Sequence, residues 1–256
     1  MQILVIGASG LLGSNIYKYF NLRYKNVIGT YCNHNVNIEM IKYDMNYDNI
    51  EEINVLLNEK LEDKHAIICA GETKIDMCKE KVNMLYKTNV LSTISLIEKL
   101  ELLNYHIIFC SSDNIYDGNK GDYIETDIPN PINEYGKMKA AVEEYILKEC
   151  KNICVIRISK IIGCVHFKKD MLIEWKNKAL QKEEISCIKD NYLTPVYIED
   201  VVKCIEIIIN KSLLGIYNIC GNEKYSRVEL CKLFLNKLRL NTKVIERRLE
   251  EFNFND

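Results

Sequence analysis

An α/β fold built on a doubly wound parallel sheet is predicted by three observations. Short β-branched apolar runs alternate with segments of helical period from Gln2 to Ile158. The first of these runs leads at once into a glycine-rich turn and then a helix. Beyond Gly163 the alternation stops and the segments become short and mixed, which predicts a smaller second region at the C-terminal end. The expected organisation is one domain over residues 1–160 and a subdomain over 161–256, with a helix at about 198–210 packing back on the first.

Composition narrows the classes. The chain has 256 residues, 48% hydrophobic and 27% charged, enough to bury a sizeable core. The net charge is -2 and no basic run stands out, so nucleic acid is not an expected partner. The cysteines number 11 and mostly sit in apolar runs (Cys69, Cys110, Cys154, Cys204, Cys220) rather than in CxxC pairs. They read as reduced core residues of a cytoplasmic protein, not as a disulfide or zinc framework. No leader pattern and no apolar run of spanning length is seen, so a membrane is not expected either. No His/Cys/Asp cluster has ligand spacing, and no metal is assigned.

Gln2 to Ile6 reads as a fully buried strand. Gly7-Ala8-Ser9-Gly10-Leu11-Leu12-Gly13 follows, and helical period runs from Leu11 to about Phe20. Strand, G-x-x-G-x-x-G turn and helix make the first unit of a Rossmann-type dinucleotide fold. The first glycine permits the tight turn, the second lets backbone approach a pyrophosphate, and the third lets the helix pack close to the sheet. The phosphates would sit at the helix N-terminus, where unpaired N–H groups and the dipole favour anions. Gly7, Ser9, Gly10, Leu11, Leu12 and Gly13 are the candidate phosphate-binding residues.

Lys25 to Tyr31 reads as the second strand, ending in Gly29-Thr30-Tyr31-Cys32-Asn33-His34. NAD-binding chains usually carry an acid here to bond the ribose 2′-OH. None is present, and Thr30, Tyr31 and Asn33 would tolerate a 2′-phosphate, although no arginine is there to grip it. NADP(H) is therefore expected in preference to NAD(H). Ile41 to Met45 reads as a short third strand, with Asp44 and Met45 at its cofactor end. Asp44 either meets the adenine amino group or caps the helix expected from Tyr47 to Lys60. His65 to Cys69 is the next strand. It ends in Cys69-Ala70-Gly71, small residues that let a cofactor cross the carboxyl end of the sheet.

Glu72 to Glu80 reads as a polar segment and Lys81 to Leu103 as a helix, in which Asn89 is expected to satisfy backbone groups. Tyr105 to Cys110 is a strand crowned by Ser111-Ser112-Asp113. Asn114 to Asn133 is a long loop on the same rim, poised to cover a substrate. Tyr135-Gly136-Lys137-Met138-Lys139 then opens a helix that runs to about Cys150. A Tyr and a Lys at this spacing share a helix face. An ammonium beside a phenol favours the phenolate, so Lys139 is expected to lower the Tyr135 pKa and make it a proton donor and acceptor near neutral pH. Ser112, at the strand end before this helix, completes a candidate catalytic set. Ile153 to Ile158 is the last strand of the alternation. Further on, helices are expected over about Lys168 to Leu180, Ile198 to Asn210 and from a Ser226 cap to about Leu238. Short strands are expected near Ile185 to Ile188 and Gly215 to Cys220. The charged stretch from Thr242 to Asp256 has no clear pattern.

These residues resemble the extended short-chain dehydrogenases/reductases, and within them the dTDP-4-dehydrorhamnose reductase group. The likeness runs nearly end to end. Gly7-x-x-Gly10-x-x-Gly13 resembles the phosphate turn, and Ser111-Ser112-Asp113-Asn114-Ile115-Tyr116-Asp117-Gly118 resembles Ser-Thr-Asp-Tyr-Val-Phe-Asp-Gly. Pro131-x-x-x-Tyr135-Gly136-Lys137-x-Lys139 resembles the catalytic Pro-x-x-x-Tyr-Gly-x-x-Lys segment. Thr194-Pro195-Val196-Tyr197-Ile198-Glu199-Asp200 and Gly215 to Gly221 resemble the later segments. The chain departs from the group at Arg157-Ile158-Ser159-Lys160, where Lys160 replaces an aromatic residue that would flank a sugar.

The resemblance implies a reductase that uses NAD(P)H on a 4-keto nucleotide-linked sugar. Ser112 would bond the substrate oxygen, Tyr135 would give the proton, and Lys139 would bond the cofactor ribose. Asp113, Lys160, Asp190 and Asn191 are the candidate substrate-binding residues, the last two in the C-terminal, substrate-binding subdomain. Members often pair through helices flanking the sheet, so a homodimer is among the expectations. Two alternatives stand beside this one. The first is a nucleotide-sugar epimerase or dehydratase, although Asp113-Asn114 offers one acid where a dehydratase carries an Asp-Glu pair. The second is a non-catalytic NADP-binding regulatory subunit similar to the methionine adenosyltransferase β subunit.

Overall fold

A computed structural model describes residues 1–34, 39–54, 61–163 and 170–251. They form two compact units. The first combines Met1–Ile158 with Val202–Asn218, and the second combines Ser159–Val201 with Ile219–Asp256.

In the first unit the order is β1 (Gln2–Ile6), α1 (Leu11–Asn21), β2 (Val27–Tyr31), β3 (Ile41–Lys42), α2 (Ile50–Asn54), β4 (Lys64–Ile68) and α3 (Ile75–Glu80). Next come α4 (Val82–Tyr86), a π-helical turn (Lys87–Ser92), α5 (Thr93–Leu102), β5 (His106–Ser112), α6 (Glu134–Glu149) and β6 (Ile153–Ile158). The second unit carries β7 (Ile161–Ile162), α7 (Met171–Leu180), β8 (Ile185–Ile188), β9 (Tyr192–Leu193) and β10 (Val196–Tyr197). The chain returns to the first unit through α8 (Ile198–Lys211) and β11 (Gly215–Ile219), and ends in the second with β12 (Tyr225–Ser226), α9 (Arg227–Lys237) and β13 (Val244–Arg247).

Seven strands form one sheet in the order β11-β6-β5-β4-β1-β2-β3. The pairs from β3 to β6 are parallel, with Val5 opposite Gly29 on one side and Ile67 on the other. The chain winds outward from β1 to β3 and then crosses back to β4, so the order reverses between β1 and β4. Such a switch point opens a crevice at the carboxyl ends of the strands. Helices cover both faces, and β1, β5 and β6 are buried along their whole lengths. That is why the sequence shows continuous apolar runs and not alternation. Leu4, Ile6, Ile68, Leu96, Ile107 and Phe109 are among the core residues, each burial worth about 1.5–3 kcal/mol.

Four expectations about elements need adjusting. Glu72 to Glu80 is not merely polar, because it contains α3, which buries Cys78. The single helix expected from Lys81 to Leu103 is α4, a π turn and α5, with Asn89 inside the π turn. Asp44 lies beyond β3, in a turn. Cys220 is exposed and Cys69 and Cys204 are intermediate, whereas Cys110 and Cys154 are buried. The predicted helices over 47–60 and 168–180 fall partly outside the described residues.

The second unit has its own small core of Trp175, Ile185, Cys187, Val228, Cys231 and Leu235. β13 runs parallel to β8, so part of the stretch without a legible pattern becomes a strand. Ser226 caps α9 as expected, through a reciprocal box in which Glu229 N–H donates to Ser226 Oγ (3.1 Å) and Ser226 N–H donates to Glu229 Oε2 (2.7 Å). Among the described residues no helix is long and apolar enough to cross a membrane.

Candidate active site

The glycine turn joins β1 to α1 at the sheet's switch point. Gly7 takes φ +82°, and a Cβ on it would lie 2.8 Å from Ala70 N. Glycine thus meets both a conformational and a steric demand here. A Cβ on Gly13 would lie 2.2 Å from Gly7 O, so the third glycine lets α1 approach its own turn. Ser9, Leu11 and Leu12 are partly exposed around this turn and Gly10 is exposed. Gly10 caps α1 with no side-chain acceptor, and the first turn carries no acid. The leading N–H groups of α1 are therefore left without a side-chain partner, which suits a phosphate.

Thr30 supports the turn from beneath. It is buried, its Oγ1 accepts from Gly7 N–H (3.2 Å), and its carbonyl accepts from Ala8 N–H (2.7 Å). This differs from the expected contact with a 2′-phosphate, because the hydroxyl is turned into the protein. Tyr31 and Met45 are partly exposed. Asp44 Oδ1 accepts from Asn46 N–H (3.0 Å) and Asn46 Nδ2 (2.9 Å). Burial would raise its pKa, but the Asn46 and Cys32 hydrogen bonds and the Lys42 charge hold it below the ordinary value. Asp44 thus closes a turn before α2. On the other side of β1, Cys69, Ala70 and Gly71 continue from β4. Asn89 ties this segment down, accepting from Glu72 N–H (2.9 Å) and donating to Glu72 O (2.9 Å). That is the backbone-satisfying role expected of it.

The end of β5 brings Ser112, Asp113, Tyr135 and Lys139 together. Asn133 caps α6 by accepting from Gly136 N–H (2.8 Å), and its Nδ2 donates to Asn114 Oδ1 (3.0 Å). The helix thereby starts against the turn after β5. A Cβ on Gly136 would lie 2.0 Å from Asn114 O, so only glycine allows this approach. Ser112 Oγ donates to Asp113 Oδ1 (3.1 Å) and accepts from Asn114 N–H (3.2 Å) and Nδ2 (3.1 Å). The Ser112 hydroxyl also lies near enough to Tyr135 to pull the phenol's pKa down. Lys139 is buried and donates to Cys110 O at 2.8 Å.

The charges do not follow the simple pairing that the spacing of Tyr135 and Lys139 predicts. Burial pushes the Tyr135 phenol above its ordinary pKa, the Asp113 carboxylate pushes the same way, and the Ser112 hydrogen bond pulls back. Lys139 is lowered, chiefly by burial. Its Nζ lies 5.9 Å from the Tyr135 ring centroid and is committed to the Cys110 carbonyl. The phenol is therefore held protonated. The expectation that Lys139 makes it acidic is corrected, because desolvation outweighs the ammonium at that distance.

A buried network that the sequence did not reveal fixes the rim loop. Arg157 Nε and Nη2 donate to Glu143 Oε2 (3.0 and 2.7 Å), and Ser111 Oγ donates to Glu143 Oε1. Arg157 Nη1 donates to Tyr116 OH (2.7 Å) and Glu125 O (3.0 Å), and Tyr116 OH donates to Asn218 Oδ1 (3.1 Å). The only prior signal was a charged Arg in an otherwise apolar strand run and a Glu on the buried face of a helix.

The remaining candidates lie in the second unit. Lys160 is exposed, and its carbonyl accepts from Val196 N–H (2.9 Å). Asp190 Oδ1 accepts from Leu249 N–H (2.8 Å) and Asn191 Oδ1 from Arg227 Nε (2.8 Å). The polar groups of Asp190 and Asn191 thus hold that unit's own chain together. Among the described residues no group of His, Cys, Asp and Glu is placed to hold a metal ion.

With this geometry in hand, comparisons with known proteins define the class first. The chain is 28% identical to the dTDP-4-dehydrorhamnose reductase of Aggregatibacter actinomycetemcomitans, over 84% of this chain and 69% of that one. It is also 27% identical to methionine adenosyltransferase 2 subunit beta of Xenopus tropicalis, over 90% of this chain and 70% of that one. The crystal structure of a hypothetical dTDP-4-dehydrorhamnose reductase from Sulfolobus tokodaii superposes with a TM-score of 0.84, at 27% identity, over 96% of this chain and 86% of that one. The class is that of NAD(P)-dependent oxidoreductases of the short-chain dehydrogenase/reductase type. More narrowly, the RmlD substrate binding domain model matches residues 1–252, and the chain belongs to that family.

Proposed function

We propose that this protein reduces the 4-keto group of a nucleotide-linked sugar with NADPH, as a dTDP-4-dehydrorhamnose reductase does. The observation that carries the reading is the meeting of Ser112, Tyr135 and Lys139 at the carboxyl end of β5, on the rim that also carries the Gly7–Gly13 turn. Gly7, Ser9, Gly10, Leu11, Leu12 and Gly13 would hold the cofactor phosphates, with Cys69, Ala70 and Gly71 beneath it. The bound nicotinamide supplies the hydride. Ser112 hydrogen-bonds the substrate oxygen. Tyr135 then gives that oxygen its proton, a task suited to a phenol that burial keeps protonated. Lys139 places a positive charge below the phenolate that is left. Residues 161–256 mainly take the sugar nucleotide, with Lys160 exposed toward solvent. The absence of an acid at the end of β2 favours NADP over NAD.

Titration with NADPH and then NADH, following nicotinamide fluorescence, tests the cofactor half; tighter NADPH binding is expected. Tyr135→Phe should then bind NADPH normally and lose turnover of a 4-keto nucleotide sugar by at least ~10²-fold. Undiminished turnover in this variant would remove Tyr135 from the mechanism. One observation favours a second reading: the 27% identity to an adenosyltransferase β subunit over 90% of the chain. Under that reading the protein binds NADP and a partner enzyme, and wild-type protein shows no reduction of any 4-keto sugar.

A further inference from the structure

Two cysteines meet at the carboxyl ends of β4 and β5, beside the switch point of the sheet. The parallel register pairs Ile68 with Phe109, so the next residue on each strand, Cys69 and Cys110, also stand opposite one another. Their Sγ atoms lie 3.5 Å apart. Neighbouring strands run roughly 4.8 Å apart, inside the Cα separation of roughly 4.4–6.8 Å that a disulfide bridges. The sulfurs need to approach by only about 1.5 Å to reach bonding distance. Both residues are thiols in this structure, and they are not equivalent: Cys110 is buried, whereas Cys69 is partly exposed.

We propose that Cys69 and Cys110 form a redox modification site, closed to a disulfide by hydrogen peroxide and shielded while the nicotinamide cofactor is bound. The shielding half rests on the function given above. Cys69, the accessible member, reacts first as its thiolate. An S–O bond forms, the peroxide O–O bond breaks, and the departing hydroxide takes up the proton released by the thiol and leaves as water. The Cys110 sulfur then attacks Cys69. The S–S bond forms, the S–O bond breaks, and a second water leaves with the Cys110 proton. The two thiols lose two electrons in all, and the peroxide gains them.

Closure cannot stay local. Cys69 N–H donates to Ile6 O (2.9 Å), and Ala70 lies so close to the glycine turn that a Cβ on Gly7 would be 2.8 Å from Ala70 N. Drawing the sulfurs together therefore moves the Cys69–Gly71 segment on which the cofactor would rest. On the β5 side, Cys110 O accepts from Lys139 Nζ (2.8 Å), so the same bond disturbs the lysine's seat. The resting pair is slow to react. The contact with Cys110 and burial hold the Cys69 thiol well above its ordinary pKa, and the Lys139 charge pulls it back only in part. Attack needs the thiolate, so closure should speed up as pH rises.

Peptide mapping reads the site directly. Wild-type protein treated with hydrogen peroxide, then alkylated and digested without reductant, should yield a peptide pair joined through Cys69 and Cys110. Dithiothreitol should return both thiols. Cys187 and Cys231, buried in the core of the second unit, should remain thiols throughout. Cys110→Ser should stop at the sulfenic acid, which dimedone labels on Cys69. With NADPH well above its Kd, closure should slow by at least about 10-fold. Coupling is reciprocal, so closed protein should bind NADPH about 10-fold more weakly in nicotinamide fluorescence. Cys69 and Cys110 still free after peroxide has consumed the exposed Cys220 overturns the site. A disulfide that forms as fast with NADPH bound, or that leaves NADPH affinity unchanged, overturns the shielding. Reduced wild-type protein that does not bind NADPH overturns the proposed function instead, and the mapping still decides whether the disulfide forms.

Discussion

At the scale of the residue, the sites that matter are glycines and buried polar groups whose neighbours are distant in sequence. Gly136 looks like an ordinary second residue of a motif. Its need is visible only where a Cβ would come within 2.0 Å of Asn114 O. Gly136→Ala should therefore force α6 away from the end of β5. The expected loss is about 1–3 kcal/mol of stability, read by thermal unfolding, together with slowed turnover as Tyr135 shifts from Ser112. An unchanged melting temperature would show that α6 can move freely. Thr30 teaches the same lesson. The sequence places it at a cofactor rim, but the fold turns its hydroxyl back to Gly7 N–H. Under the proposed function, NADP preference would then have to come from Tyr31, Asn33 and the missing acid.

At the scale of the element, two features fix the rim loop between β5 and α6. The first is the Arg157–Glu143 pair, whose side chains are 2% and 1% exposed. Breaking one partner of such a pair leaves an uncompensated buried charge, so Glu143→Ala should cost about 3–5 kcal/mol in denaturant unfolding. The second is Asp117, which accepts from Asn119 N–H (2.9 Å), Asn130 Nδ2 (2.9 Å) and the Tyr123 hydroxyl. The Tyr123 bond, then those from Asn119 and Asn130, lower its pKa from 3.8 to about 2. A depressed carboxylate contributes fully above its ordinary pKa and loses that contribution as pH falls through its folded pKa. The tether is thus complete above about pH 4 and released on acidification toward about pH 2. Near-ultraviolet circular dichroism should report this, because Tyr116 and Tyr123 stack with centroids 4.3 Å apart. Asp117→Asn should shift or abolish that acid step; an identical step in the variant would assign it elsewhere. The elements themselves were largely legible, since β1, β4, β5, β6, α1 and α6 are continuous runs with clear starts. The π turn at Lys87–Ser92 was not, because helical period is kept through it while one turn widens.

At the scale of the whole molecule, the chain crosses between its two units three times. The sheet unit needs Val202–Asn218 as well as Met1–Ile158. That late stretch brings β11 to the sheet edge next to β6 and buries Val202, Ile205, Ile208 and Ile209. Leu213 O also accepts from His106 Nε2 (2.9 Å). A fragment ending at Ile158 would lack these residues and leave bare the apolar surface they cover and the edge of β6. It should aggregate or stay unfolded in size-exclusion chromatography under conditions where the full chain is monodisperse. A folded fragment would show that β11 adds little.

The amino-acid sequence by itself determined the parallel sheet, the glycine-rich turn between β1 and α1 and the candidate set Ser112, Tyr135 and Lys139. These rest on patterns a few residues long, where strand period, glycine freedom and helix spacing act locally. Only the tertiary structure decided what those groups are electrically. It set Lys139 on a carbonyl 29 residues away, buried Tyr135 beside Asp113, and spent Asp190 and Asn191 on their own unit. Desolvation and charge pairing depend on which distant residues share a site, and that depends on how the chain closes on itself.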